Sequence, residues 1–206
     1  MSRFVRFGLF GVLALGVCLL TNSVTRSADD DDKEDIDAAK KLADPVKKLL
    51  AAVQSGKDVA KAAEDLNKKG DLKHIMWAGF KSRDKGGVGV GEKAGAIKPD
   101  GVEAKIISMS KKPMSGAQLE KESADLVKMA QVAQAIGDIA ELNTPKKNDP
   151  KDPKKTVAAW TKYTKLQKDS AKALEDAVKA NDADKVLDAT KNLYSSCTNC
   201  HSIFRD

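Results

Sequence analysis

Cysteine, histidine and aromatic residues are all scarce in this chain. Its 206 residues hold three cysteines, two histidines and 4% aromatics. So few aromatics exclude a core led by large rings, and no stretch reads as a run of strand-favouring residues. Two histidines and the absence of any carboxylate cluster at metal spacing leave no Ser/His/Asp array and no multi-histidine metal centre, so the chain is not expected to be an enzyme. Long hydrophobic runs are missing too. The longest, Phe7 to Leu20, is 14 residues, whereas a bilayer span needs about 20.

That run is preceded by Arg3 and Arg6 and followed by TNSVTRSA, the layout of a secretory signal. Residues 1–28 are therefore expected to be a signal peptide, cut between Ser23 and Ala28, with an uncleaved anchor as the alternative. The mature protein is expected outside the cytoplasm, in a periplasm or an equivalent compartment. Cys18 lies in the signal, and the preceding valine makes LGVC a poor lipoprotein box. Without the signal the formal charge falls from +6 to about +3, too little to imply nucleic-acid binding.

What is present is alanine, leucine, lysine and aspartate in helical rhythm, with 32% charged residues for solvated outer faces. The fold class expected is all-α. Residues 29–56 read as an acidic leader, DDDDKEDID, and an extra helix broken at Ala43-Asp44-Pro45. Residues 57–206 read as the main body. Gly70 divides a helical stretch of about residues 58–81. A glycine-rich segment, KGGVGVGEKAGAIKPDG, follows as a long surface loop; no strand precedes it and no Gly-Lys-Ser/Thr follows, so it is not a phosphate cradle. Residues 81–113 carry eight Lys or Arg against four acids, a candidate docking segment if not a solvated loop.

Three stronger helices close the chain. Residues 116–142 place Leu126, Met129, Ala130, Ala133, Ile136, Gly137 and Ala140 within about 120° of one another. A proline- and lysine-rich linker leads into a helix with Trp160, Tyr163, Ala171, Leu174 and Val178 on one face. Asn181-Asp182 turns into the last helix, so the two should lie antiparallel. On that last helix Val186, Ala189, Thr190, Leu193, Cys197, Cys200, His201 and Phe204 fall on one stripe. Both mature cysteines and a histidine are thus expected to face the core.

Cys197-Thr198-Asn199-Cys200-His201 is a C-x-x-C-H motif. Thiols one turn apart can form two thioethers to a haem, and the adjacent imidazole can reach its iron. The competing readings are a structural zinc site, a redox dithiol and a simple disulfide. Zinc would need a fourth ligand, for which only His74 remains. The dithiol expects a βαβ setting, and so short a disulfide loop stabilises little.

The terminal CTNCHSIFRD on the last of several helices resembles the cytochrome c′ family and its class II c-type relatives, over about residues 116–206 and more weakly over residues 58–82. The resemblance implies a four-helix bundle, here with an extra N-terminal helical segment. It implies covalent haem c on Cys197 and Cys200, His201 as the proximal iron ligand, and Arg205 near the proximal side of the haem. It also implies single-electron transfer between redox partner proteins, with no nucleic acid and no small-molecule substrate, and allows a homodimer through bundle helices.

The resemblance places the sixth iron ligand, if there is one, on the first bundle helix. In DLKHIMWAGFK, Met76 falls on the same stripe as Leu72, Ile75 and Gly79, with His74 opposite. Met76 is the candidate metal ligand; an open iron site that binds gases such as NO or CO, or ligation by His74 or Met129, are the alternatives.

Overall fold

The computed structural model describes residues 28–205, with side chains from residue 33 onward. The signal-like segment, Cys18 and the first acidic side chains lie outside the described residues. Every regular element among the described residues is helical: α1 (Ala28–Ser55), α2 (Val59–Asn67), α3 (Leu72–Phe80), α4 (Val102–Lys111), α5 (Gly116–Leu142), α6 (Val157–Lys179) and α7 (Ala183–Phe204), with one 3-10 turn at Arg83–Lys85. None of these helices is long and apolar enough to cross a membrane.

The expected break at Pro45 does not occur, and α1 runs through it. Proline forfeits one backbone bond, but Ala39, Leu42, Val46 and Leu49 form a buried stripe on either side of it. Tertiary packing outweighs the local penalty. The break at Gly70 does occur. A Cβ there would lie 2.7 Å from Leu42 Cδ1, so glycine lets the α2–α3 corner close onto α1. Asp71 caps α3, its carboxylate accepting from the His74 backbone N–H at 2.9 Å.

Helix α5 is the hub, packing against α1, α2, α3 and α6. The stripe expected for it is buried, and so are Val132, Ala135 and Ile139 on its opposite side. Helix α6 lies between α5 and α7, and α4 packs along α7. At one crossing α3 approaches α5 closely: a Cβ on Gly79 would be 2.8 Å from Ile136 Cδ1.

The glycine-rich segment is a loop, as expected, exposed over residues 92–96 but anchored to the core on either side. Val88, Val90 and Ile97 are buried. Arg83 ties the segment together, donating to the carbonyls of Val90 and Gly91 and pairing with Asp100. Val90 N–H donates to the Asp100 carbonyl at 2.6 Å, and Val88 N–H to the Ala78 carbonyl at 2.8 Å. Glycine is required at position 87, where a Cβ would sit 1.9 Å from the Lys81 carbonyl oxygen.

Candidate functional site

Asp182 caps α7 by accepting from the Lys185 backbone N–H at 3.1 Å. The helix then runs antiparallel to α6, with burial complete at Val186, Thr190 and Leu193. Toward the C-terminus the same stripe emerges: Cys197, Cys200 and Phe204 are half-buried and His201 is exposed. The expectation that the whole motif faces the core is therefore corrected at His201. His201 lies about 60° around α7 from Val186, at the edge of the buried stripe, and in the last turn of the helix, which ends at Phe204.

Both cysteines are free thiols, one turn apart on one face. Burial pushes the Cys197 thiol up to about 11, against the opposing effect of the Ser196 hydrogen bond. Burial also raises Cys200. Neither thiol is primed as a nucleophilic thiolate, unlike a disulfide-exchange dithiol.

Charges from three elements converge on His201. Desolvation lowers its pKa, and Arg205 and Lys81 act in the same direction, with Glu103 opposing them. Glu103, in the first turn of α4, also acts on Cys197. It pairs with Lys81 at 2.5 Å, and that ammonium lies over the Trp77 ring, 5.5 Å from the centroid. Lys81 and Glu103 escaped the sequence reading as site residues because they share no helical stripe with the motif. Arg205 is the C-cap of α7, its backbone N–H donating to the His201 carbonyl at 3.1 Å.

Phe204 meets Trp160 of α6 edge to face, with centroids 5.0 Å apart. Trp160 Nε1–H in turn donates to the Ala140 carbonyl at the end of α5, at 2.9 Å. Three helices are pinned together one turn beyond His201.

The distal candidates separate clearly. Ile75, Ala78 and Gly79 form the buried face of α3. Met76 is half-buried on the flank of that face, packed against the core. His74 is engaged elsewhere: its Nδ1 lies 2.8 Å from Asp71 Oδ2 and its Nε2 lies 3.0 Å from Asp35 Oδ1, bridging α3 to α1. It does not join the cysteines, and no group of three His, Cys, Asp or Glu able to hold a metal ion occurs among the described residues. The four-ligand zinc reading therefore has no geometric basis. Met129 is 2% exposed, enclosed in the α5 core.

The donor set suits covalent haem: two free, half-buried thiols on one face, followed by an exposed imidazole. No protein-family model, curated protein or solved structure matches this chain.

Proposed function

We propose that the chain is an exported monohaem c-type cytochrome that passes single electrons between redox proteins. Cys197 and Cys200 would hold the haem through thioethers, each thiol adding across a vinyl double bond, and His201 would ligate the iron. When bound, haem supplies one-electron chemistry through its ferrous and ferric states. The observation carrying this reading is the arrangement at the end of α7, with two free thiols one turn apart beside a solvent-reaching imidazole. The protein's own part is to orient that imidazole from α7, to bring the Lys81–Glu103 pair beside it, and to anchor the end of α7 through Trp160 and Phe204. On this reading α5, α6 and α7 would supply three helices of a cytochrome c′-like bundle, with α4 packed along α7 and α3 crossing α5 beside them.

A second reading, a five-coordinate haem protein that binds gases, is favoured by one observation. The centre of the buried face of α3 is Ile75, Ala78 and Gly79, none of which can ligate iron, and Met76 sits to the side.

Haem staining of the denatured chain tests the attachment, since a thioether-linked haem stays with the polypeptide. Absence of stain from protein made in an export-competent host with cytochrome c maturation removes both readings. A low-spin ferrous spectrum unchanged by CO supports the carrier, and a high-spin spectrum that shifts with CO replaces it with the gas binder.

A further inference from the structure

Basic charge is distributed over two stretches of this chain, and the fold treats them differently. In residues 81–113 three of the eight basic residues are paired in place, Lys81 with Glu103, Arg83 with Asp100, and the buried Lys105 with Glu122 at 2.6 Å. In residues 144–163 six lysines face two aspartates. Lys146, Lys147, Lys151, Lys154 and Lys162 are exposed.

The two aspartates bind the linker's own backbone, Asp149 accepting from the Lys151 N–H at 2.8 Å and Asp152 from the Lys154 N–H at 2.9 Å. Asn148 accepts from the Val157 N–H at 2.9 Å, which fastens the linker to the first turn of α6. The lysines are thus carried on a shaped segment. Leu142, 49% exposed, stands where α5 enters it.

The position of this patch ties it to the motif. Trp160 links Ala140 to Phe204, so the linker rims the end of the α6–α7 hairpin at which His201 reaches solvent. The opposite end, residues 176–188, carries four aspartates and two lysines. The 23 residues of α6 put about 35 Å between the two ends, which gives the hairpin a charge dipole with its positive pole at the motif.

We propose that this lysine-rimmed end, with Leu142 as an apolar contact, is the face on which an acidic protein partner docks to exchange electrons. The inference rests on the cytochrome reading. Opposite charge steers encounter and orients the partner toward the motif, and the exposed leucine adds a short-range contact once the two surfaces meet.

The test uses the full-length pigment and two double variants of equal charge change. K147E/K154E alters the patch, and K112E/K121E alters exposed lysines at the other end of α5. A deca-glutamate peptide at low ionic strength is expected to shift amide resonances of residues 144–163 and the end of α7, and K147E/K154E is expected to abolish those shifts. Oxidation of the ferrous protein by ferricyanide, an anion, should slow roughly five-fold in K147E/K154E, and oxidation by cationic tris(phenanthroline)cobalt(III) should quicken. K112E/K121E should leave each rate within about two-fold.

Equal losses in both variants would show that net charge alone acts and would overturn the proposal, as would shifts centred on residues 81–98 or no shifts at all. Binding to phosphatidylglycerol vesicles that K147E/K154E removes, with deca-glutamate binding unaffected, would assign the face to a membrane and overturn it too. A chain that fails to stain for haem yet shows the expected peptide shifts would sink the cytochrome reading and leave the acidic docking face standing.

Discussion

Trp160 and Phe204 meet edge to face at 5.0 Å and 83°, and this contact fixes the end of α7 against α6 one turn past His201. Both rings are half-buried, and the indole also holds the last turn of α5 through the Ala140 carbonyl. A mutant cycle between the two positions is expected to give a coupling of about 1 kcal/mol, as for other edge-to-face pairs. W160F should keep the ring contact and lose about 1 kcal/mol with the hydrogen bond. Urea unfolding of the four proteins measures both, and a coupling near zero would show that the ring pair does not anchor the helix.

Gly79 and Ile136 define the crossing of α3 over α5. A methyl at position 79 would press on Ile136 Cγ1 and Cδ1, both 2.8 Å away. G79A is expected to destabilise by about 1–3 kcal/mol through overpacking. Combining it with I136A should cost less than the sum of the two single changes, because the deleted atoms are those the methyl meets. Additive costs would place the crossing elsewhere.

Lys105 is the most deeply buried cation described, with its side chain 3% exposed and its ammonium 2.6 Å from Glu122. Removing one partner leaves an uncompensated charge in a poorly hydrated place, so K105A should cost about 3 kcal/mol. Replacing both, as K105M/E122L, should recover most of that loss, because an apolar pair of similar volume needs no charge solvation. Thermal melts of the single and double variants decide it.

Two carboxylates bridged by His74 set an acid limit. The Lys73 ammonium, with His74 assisting, holds the Asp35 carboxyl below its usual value despite some desolvation. Burial works to raise Asp71, but the His74 backbone N–H and imidazole outweigh it and leave that group lowered as well. Groups with depressed folded values stabilise fully above their unfolded pKa, about 3.9, and lose that contribution as pH falls through the lowered values. The α1–α3 contact should therefore weaken below about pH 4. D35N should be less stable than the wild type at pH near 6, with the two melting temperatures converging as the solution is acidified. Parallel curves would show that the bridge carries no stability.

Met76 decides the chemistry of the proposed cytochrome. If its sulfur ligates iron, the ferrous wild type is low-spin and ignores CO, and M76A becomes high-spin and binds it, with a lower reduction potential. If the wild type already binds CO, M76A should change only stability, by about 1–2 kcal/mol for a half-buried side chain. Optical spectra with and without CO on the two proteins separate the cases.

Much of this was legible in the sequence because helical period and cap chemistry are local. The stripes of α5, α6 and α7, the turn at Asn181-Asp182, the corner at Gly70 and the spacing of Cys197, Cys200 and His201 on one face all follow from positions along the chain. Other features depended on what lies across from a residue. Pro45 stays inside α1 because Leu42, Val46 and Leu49 bury around it. The glycine-rich segment packs because Arg83 finds Asp100 and two carbonyls. His201 reaches solvent at the edge of its stripe in the last turn of α7, and the charges beside it come from the end of α3 and the start of α4, remote in sequence. Period and spacing by themselves determined α5, α6, α7 and the one face that carries the motif, since both are properties of a single turn, but not α4 or the unbroken α1. Only the tertiary structure decided how deep that face lies and which charges surround it, because burial and electrostatics depend on the lengths and crossings of neighbouring helices.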